Sequence, residues 1–352
     1  MLDRDFWEPD VRPHLEAYVA AAGGGRGDVT DPALLAALRD PGPDPAPEPG
    51  VTWSAATIPN TAGDHDVPVR VYRPEHPDPR RPAYVLFHGG GLSFGHLNTE
   101  HRRCVELTRA CGAVGVSVDY RMAPEHAPAV ILDDAYSALR HVATHAEDYD
   151  VDPRRIVLTG SSGGGMLTLA LAQLVRDRGE FAPMLQLALY PNTDDRRLPE
   201  HVSRRTDLPV IPEPVIQQVM RNLVPSEPPA PYIVPNRTED LTGLCPALVL
   251  VGQNDPLRDE AIHYSWRLVR AGVPTELHVL PGLPHGFDAI APDADATRTA
   301  HDLMNHAVRR ASSGPDPGVR RRSCRRSARG AGRRARCGAR THRSCARRST
   351  AA

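Results

Sequence analysis

Ile156-Val157-Leu158-Thr159-Gly160-Ser161-Ser162-Gly163-Gly164-Gly165-Met166 is the stretch on which the fold turns. A short apolar run enters a turn of small residues, and the chain leaves it into a helix-like segment, Met166 to Val175. Strand, sharp turn and helix form the context of the G-x-S-x-G elbow, where a strained backbone presents a Ser side chain at the top of a sheet. Gly160, Ser162 and Gly164 fit that pattern. Centring it on Ser161 would put Thr159 where the first Gly belongs, so Ser162 is the candidate nucleophile. A Gly/Ser-rich phosphate-binding turn has a similar composition, so the assignment depends on what flanks the turn.

Upstream, the apolar run Ala83 to Phe87 opens directly into His88-Gly89-Gly90-Gly91. Acyl transfer builds negative charge on a former carbonyl oxygen, and glycine N–H groups can approach that oxygen with no side chain in the way. Gly89 and Gly90 are the expected donors, with Gly163, the residue after the nucleophile, as the third. His88 precedes Ser162, whereas the order in such sheets is nucleophile, acid, His. His88 and Gly91 are therefore expected to position the loop.

Downstream, Asp255 follows the apolar run Ala247 to Val251, and His285 follows a strand expected to end at Leu280. They are the expected acid and base, the acid orienting the imidazole that accepts the Ser proton. The alternative role for Asp255 is a helix N-cap. Other candidates are worse placed. His278 lies inside a strand, His301 and His306 in the last helix, and His263 in the helix before the final strand. Asp259 and Glu260 fall where acids are stabilised at a helix N-terminus.

The rest of the chain supports the same architecture. Val51 to Ile58 and Val67 to Tyr72 read as strands joined by a turn at Gly63-Asp64. In the second, Val67, Val69 and Val71 alternate with other residues, as one buried face requires. Ala83 to Phe87, Val114 to Val118, Ile156 to Leu158, Leu185 to Leu189, Ala247 to Val251 and Leu277 to Leu280 are apolar runs separated by helical stretches. That alternation indicates a parallel sheet covered on both faces, an α/β class. Cys104, Leu107, Thr108 and Cys111 form one helical stripe, and Ala135, Leu139, Val142 and Ala143 form another within a helix expected over Asp133 to His145.

Three regions follow. Residues 1–50 are expected to form short cap helices around Gly23-Gly24-Gly25 and a Pro-rich linker; residues 51–311 form the catalytic domain. Within the latter, the Pro-rich insertion 192–238 carries one amphipathic helix, Pro214 to Val224, and is expected to wall or cover the site. Phe6 and Trp7 are expected to dock the cap, and Trp53 and Trp266 to pack. His141 and His145 read as a surface pair rather than zinc ligands.

Residues 312–352 form a tail with 13 Arg and one acid, Asp316. It has too little apolar surface to order itself, and its abrupt composition suggests out-of-frame translation. A nucleic-acid-binding arm is the less expected reading. Cys324, Cys337, His342 and Cys345 lack the close Cys pair of a zinc site. Without the tail, 29 Arg face 42 acids, and this acidic body argues against nucleic acid as a partner. Cys104, Cys111 and Cys245 make no disulfide framework. No stretch is long and apolar enough to span a membrane, and Met1 to Pro13 has no apolar leader core. The expected location is cytoplasmic; a homodimer is left open.

On His88-Gly89-Gly90-Gly91 with Gly95, Asp119-Tyr120-Arg121-Met122-Ala123-Pro124-Glu125, the Ser162 elbow, Asp255-Pro256-Leu257-Arg258-Asp259-Glu260 and His285-Gly286-Phe287, the chain resembles the hormone-sensitive-lipase-like HGGG esterases of the α/β-hydrolase superfamily. The resemblance covers roughly residues 50–310. It implies a mostly parallel eight-stranded sheet, a helical cap and hydrolysis of short-chain carboxylic esters without metal or organic cofactor, and it gives Arg121 and Glu125 structural roles. An acetyl ester of a small metabolite is one candidate substrate. A transacylase or lactone-forming cyclase using the same site is the alternative. One departure stands out. The family elbow usually reads G-D-S-A-G-G, and here Ser161 and Gly163 replace its Asp and Ala.

Overall fold

Eight strands form one sheet in the order β1-β2-β4-β3-β5-β6-β7-β8. The computed structural model describes residues 6–21, 31–76, 81–196, 210–225 and 228–313. The strands are β1 (Val51–Pro59), β2 (Asp66–Pro74), β3 (Arg81–Phe87), β4 (Val114–Val118), β5 (Val151–Ser161), β6 (Leu185–Leu189), β7 (Ala247–Asn254) and β8 (Thr275–Pro284). β1 pairs antiparallel with β2, and β2 antiparallel with β4. From β4 through β3, β5, β6 and β7 to β8 every pairing is parallel.

The inner stretches Ala83–Phe87 of β3 and Ala247–Val251 of β7 are apolar because both sheet faces are covered there, whereas β5 opens on polar and exposed residues and the edge strand β8 is half-buried or exposed over Thr275–Pro281. On β3, Ala83, Val85 and Phe87 enter one core, with residues of α4 (Pro128–Thr144) and α5 (Gly163–Arg178). Tyr84 and Leu86 enter a second core, with α3 (His101–Cys111) and α9 (Asp295–Ser312). Alternation along one strand thus feeds two cores.

Each expected strand is present. Helix bounds differ in places. α4 starts at Pro128, five residues before Asp133, because Pro at the first helical position gives up only an N–H that has no intrahelical partner there. α9 continues through Ser312, so the expected boundary at 311 falls inside a helix. The tail from residue 314, with its expected disorder, zinc and nucleic-acid readings, lies outside the described residues. None of the described helices is long and apolar enough to cross a membrane. Cys104, Cys111 and Cys245 are free thiols.

The N-terminal segment supplies α1 (Arg12–Ala21) and α2 (Pro32–Arg39). Arg39 forms a two-pronged ion pair with Glu125 at 2.8 and 2.9 Å and donates to the carbonyl of Ser93. Arg121 holds Asp134 in the same manner at 2.8 and 2.9 Å. Both motif residues therefore bind structure together. Trp7 is buried with Leu15 and Val210, and Glu8 N–H donates to the Gly282 carbonyl, which fixes the N-terminal segment beside the β8 end of the sheet.

α6 (Glu213–Leu223) is the amphipathic helix of the insertion, burying Val215, Ile216, Val219, Met220 and Leu223. The insertion is pinned to α7 (Arg258–Arg270): Thr193 N–H donates to Glu260 at 2.7 Å, and Arg267 to the Asn236 carbonyl at 2.7 Å. Glu260 is buried rather than merely placed at a helix end. Trp53 packs under the Arg70 guanidinium at 4.4 Å. Trp266 contradicts its expectation. It is 52% exposed on α7, near the similarly exposed Val269 and under the Arg270 guanidinium, so among the described residues this face of α7 is not covered.

Candidate active site

β5 ends in the elbow and α5 begins at Gly163. Ser162 between them has φ +51°, ψ −119°, a positive-φ conformation outside the left-handed helical region that a non-glycine residue tolerates only when its surroundings impose it. Its N–H donates to the Leu189 carbonyl on β6, and its carbonyl accepts from Met166 on α5. The turn can be this tight only with small neighbours, since a side chain on Gly164 would collide with the Phe87 carbonyl.

The other two members arrive on neighbouring strand ends. Asp255 follows β7 and is fully buried. Its Oδ1 accepts from Leu257 N–H at 2.8 Å and its Oδ2 from His285 Nδ1–H at 2.8 Å. The bond to Leu257 N–H closes a turn ahead of α7, whose N-cap is Leu257, so the other oxygen is free to orient the imidazole. His285 follows β8, which runs on to Pro284 rather than stopping at Leu280. Its Nε2 lies 3.0 Å from Ser162 Oγ, and the Tyr190 ring stands edge-on against the imidazole at 4.6 Å. With Nδ1–H fixed on Asp255, Nε2 is left as the acceptor for the Ser162 proton.

The loop after β3 lies over the elbow. His88 is fully buried, stacked on Tyr120 at 4.3 Å, and its Nδ1–H donates to the Gly89 carbonyl at 2.8 Å. Burial pushes its pKa down to about 4, so the ring is neutral at pH 7 and serves to hold the loop. The expected donor set needs one correction. Gly89 N–H points to Glu100 Oε1 at 3.3 Å and is thereby committed. The N–H groups of Gly90, Gly91 and Gly163 have no partner among the described residues, and Gly91 N lies 2.7 Å from where a side chain on Gly163 would begin. The candidate set is therefore Gly90, Gly91 and Gly163.

A cavity of about 540 Å³ opens over Ser162. Leu38, Phe94, Val215, Ile216, Val219 and Ile290 give it apolar walls. Val219 of α6 sits so close to the loop that a side chain on Gly91 would meet its methyls at 2.7–2.8 Å. Charged residues that motif reading missed also line it, Glu100, Arg103 and Asp288, together with His301, whose place in the last helix argues against it as a base. Their positions along the chain carry no common signal, except that Glu100 and Arg103 stand one helical turn apart.

Other histidines fall away from the nucleophile. His278 pairs with Glu276 on β8, His263 lies on α7 and His306 on α9. His141 and His145 stack at 4.2 Å, and among the described residues no group of three potential ligands could hold a metal ion.

Comparison with known proteins agrees with this geometry. A family model described as alpha/beta hydrolase fold matches residues 84–289. The esterase LipI of Mycobacterium tuberculosis is 38% identical over 211 residues, spanning 58% of this chain and 65% of LipI, so the match covers just under two thirds of that relative. The carboxylesterase NlhH of the same organism is 37% identical over 63% of this chain and 71% of its own length. The solved structure of the esterase LipW from Mycobacterium marinum superimposes with a TM-score of 0.71 at 33% identity, covering 86% of this chain and 87% of LipW. Elbow, glycine loop, strand order and family match converge: the chain belongs to the α/β-hydrolase family, in its hormone-sensitive-lipase-like branch.

Proposed function

We propose that this chain hydrolyses short-chain carboxylic esters through an acyl-enzyme on Ser162. One observation carries the reading. The hydrogen-bonded line from Ser162 through His285 to Asp255 lies beside three backbone N–H groups without protein partners. The esterase names of the relatives support the same chemistry.

His285 Nε2 takes the Ser162 proton as Oγ attacks the ester carbonyl. Asp255 stabilises the imidazolium that forms. The Gly90, Gly91 and Gly163 N–H groups face the developing oxyanion, where a preorganised donor is worth about 3–4 kcal/mol. Collapse breaks the bond to the alcohol, which leaves with the proton from His285. Water then attacks the acyl carbonyl, giving its proton to the same nitrogen, and the acid departs as Ser162 recovers its hydrogen.

Substrate size is argued from the cap. The contact of Val219 with the glycine loop narrows the cavity where an acyl chain would extend, and the walls around it are apolar. Short, uncharged acyl groups such as acetyl or butyryl fit that space. The test is Ser162→Ala, assayed on p-nitrophenyl acetate and butyrate. Turnover is expected to vanish with the unfolding midpoint kept; substantial residual hydrolysis would overturn the reading.

A further inference from the structure

We propose that Glu100 is a positioning residue for this reaction, its buried carboxylate tying the glycine loop to the nucleophile elbow and, through Arg103, to the loop that carries His285. The inference rests on the hydrolase reading above.

Glu100 immediately precedes α3 and is 4% exposed. Its Oε1 accepts from Gly89 N–H at 3.3 Å and from the Ser161 hydroxyl. Its Oε2 pairs with Arg103 Nη1 at 2.6 Å. Every group around this carboxylate is a donor, which suits an ionised acceptor with no proton of its own. Burial, and to a lesser degree the Asp288 carboxylate, raise its pKa above the usual carboxylate value, while the Arg103 guanidinium and the hydrogen bonds from Ser161 and Gly89 act against that rise.

Arg103, 5% exposed, continues the chain of contacts. Its Nη2 pairs with Asp288 and lies 3.2 Å from the Tyr190 hydroxyl, which itself donates to Asp288 at 2.6 Å. Asp288 stands three residues after His285, and the Tyr190 ring flanks the imidazole. One buried path thus connects the elements that bear the donors, the nucleophile and the base.

The geometry shows how this path acts on chemistry it does not touch. Glu100 holds the N–H of Gly89, and His88 holds its carbonyl. The Gly89 carbonyl and the Gly90 N–H belong to one rigid peptide plane. Fixing both ends of Gly89 therefore aims the Gly90 N–H. The elbow has Ser161 where the family's usual sequence has Asp, so the charge beside the nucleophile reaches this site from α3. In Glu100→Gln an amide NH₂ must face either the guanidinium or the Gly89 N–H, leaving a buried donor opposed in both orientations.

The experiment compares the full chain with Glu100→Gln, Ser161→Asp and the double variant, measuring kcat and KM on p-nitrophenyl acetate and the unfolding midpoint. Glu100→Gln is expected to lower kcat about 10- to 100-fold, with KM changed less than about threefold, the signature of misaligned donors rather than lost substrate binding. Ser161→Asp alone brings two carboxylates into contact and lowers kcat. In the Glu100→Gln background it returns the charge to the elbow and raises kcat by about tenfold. That reversal of sign is the expected result, since a purely structural loss gives none. Should Glu100→Gln fail to fold, Glu100→Asp withdraws the charge by one methylene and is expected to fold with lowered kcat and little changed KM. Wild-type kcat in Glu100→Gln or in Glu100→Asp, or Ser161→Asp acting with the same sign in both backgrounds, overturns the proposal alone. An active-site-intact wild-type chain without ester turnover overturns the hydrolase reading itself.

Discussion

The two sides of Ser162 solve different physical problems. Toward β7 and β8 stands a line of two groups, His285 and the fully buried Asp255, joined by 2.8 and 3.0 Å hydrogen bonds. Toward α3 stands a buried ionic cluster in which Arg103 is shared by Glu100 and Asp288, and His301 by Asp288 and Glu106. The first moves a proton and so must reach the nucleophile. The second reaches the elbow through the Ser161 hydroxyl, the glycine loop through the Gly89 N–H and the imidazole through the Tyr190 ring, and its proposed work is to fix position. A charge buried without partners would be costly, and here each charged member stands within ion-pair distance of an opposite one.

The largest expected effects test the first side. His285→Ala is expected to reduce kcat by about 10⁴-fold and Asp255→Asn by about 10³- to 10⁴-fold, both with the fold retained. Steady-state kinetics on p-nitrophenyl acetate measures both. A mere tenfold loss in His285→Ala would shift the role of base to another group; His96 and His301 also line the cavity.

A smaller effect is expected where the two sides meet. In Gly163→Ala the new methyl would sit 2.7 Å from Gly91 and Leu92 backbone atoms, which cannot rotate away. The glycine loop must shift, and kcat is expected to fall about tenfold. Unchanged kcat would show that the loop has slack and would weaken the whole contrast. Val219→Ala removes the methyls that crowd Gly91. It is expected to raise kcat/KM for octanoate over acetate by about fivefold, read from a p-nitrophenyl ester series.

The most delicate test uses the buried His88 and the half-buried His301, whose pKa values are shifted in opposite directions. His88 has its pKa lowered from 6.5 to about 4 by burial. His301 is raised above 6.5, because hydrogen bonds and charges from Asp288 and Glu106 outweigh its desolvation. In a histidine NMR titration His88 should stay neutral down to about pH 5. His301 should still be protonated at the pH where a free imidazole has half lost its proton. The stability consequences are opposite in sign. The His88 contribution is whole above 6.5 and is lost as pH falls from 6.5 toward about 4, an effect of about 3 kcal/mol. The His301 contribution is whole below 6.5 and is lost as pH rises through its raised value.

The contrast also explains what could be read beforehand. The parallel strands were legible through their apolar runs separated by helical stretches, and the antiparallel β1 and β2 through the turn between them and the alternation of Val67, Val69 and Val71. Ser162, Asp255 and His285 could be proposed from the sequence because each follows a strand in a fixed order, and the fold brings them within hydrogen-bond reach. Gly89 was misread by one residue: a row of glycines shows that donors are available, but not that a distant Glu100 has already taken one. Glu100 and Arg103, one turn apart, look like an ordinary surface pair, and only the packing of α3 under the elbow buries them. Trp266 failed for the converse reason, since an aromatic residue on a helix reads as core until the missing neighbour is seen.

The central claim is that Ser162 is the nucleophile, and the most direct measurement is covalent labelling of the wild-type chain by a fluorophosphonate, followed by peptide mapping. One adduct per chain on Ser162, lost in Ser162→Ala and formed in step with the loss of ester turnover, is the predicted result. An adduct on Ser161, or full ester turnover by a chain that the reagent leaves unlabelled, would contradict it.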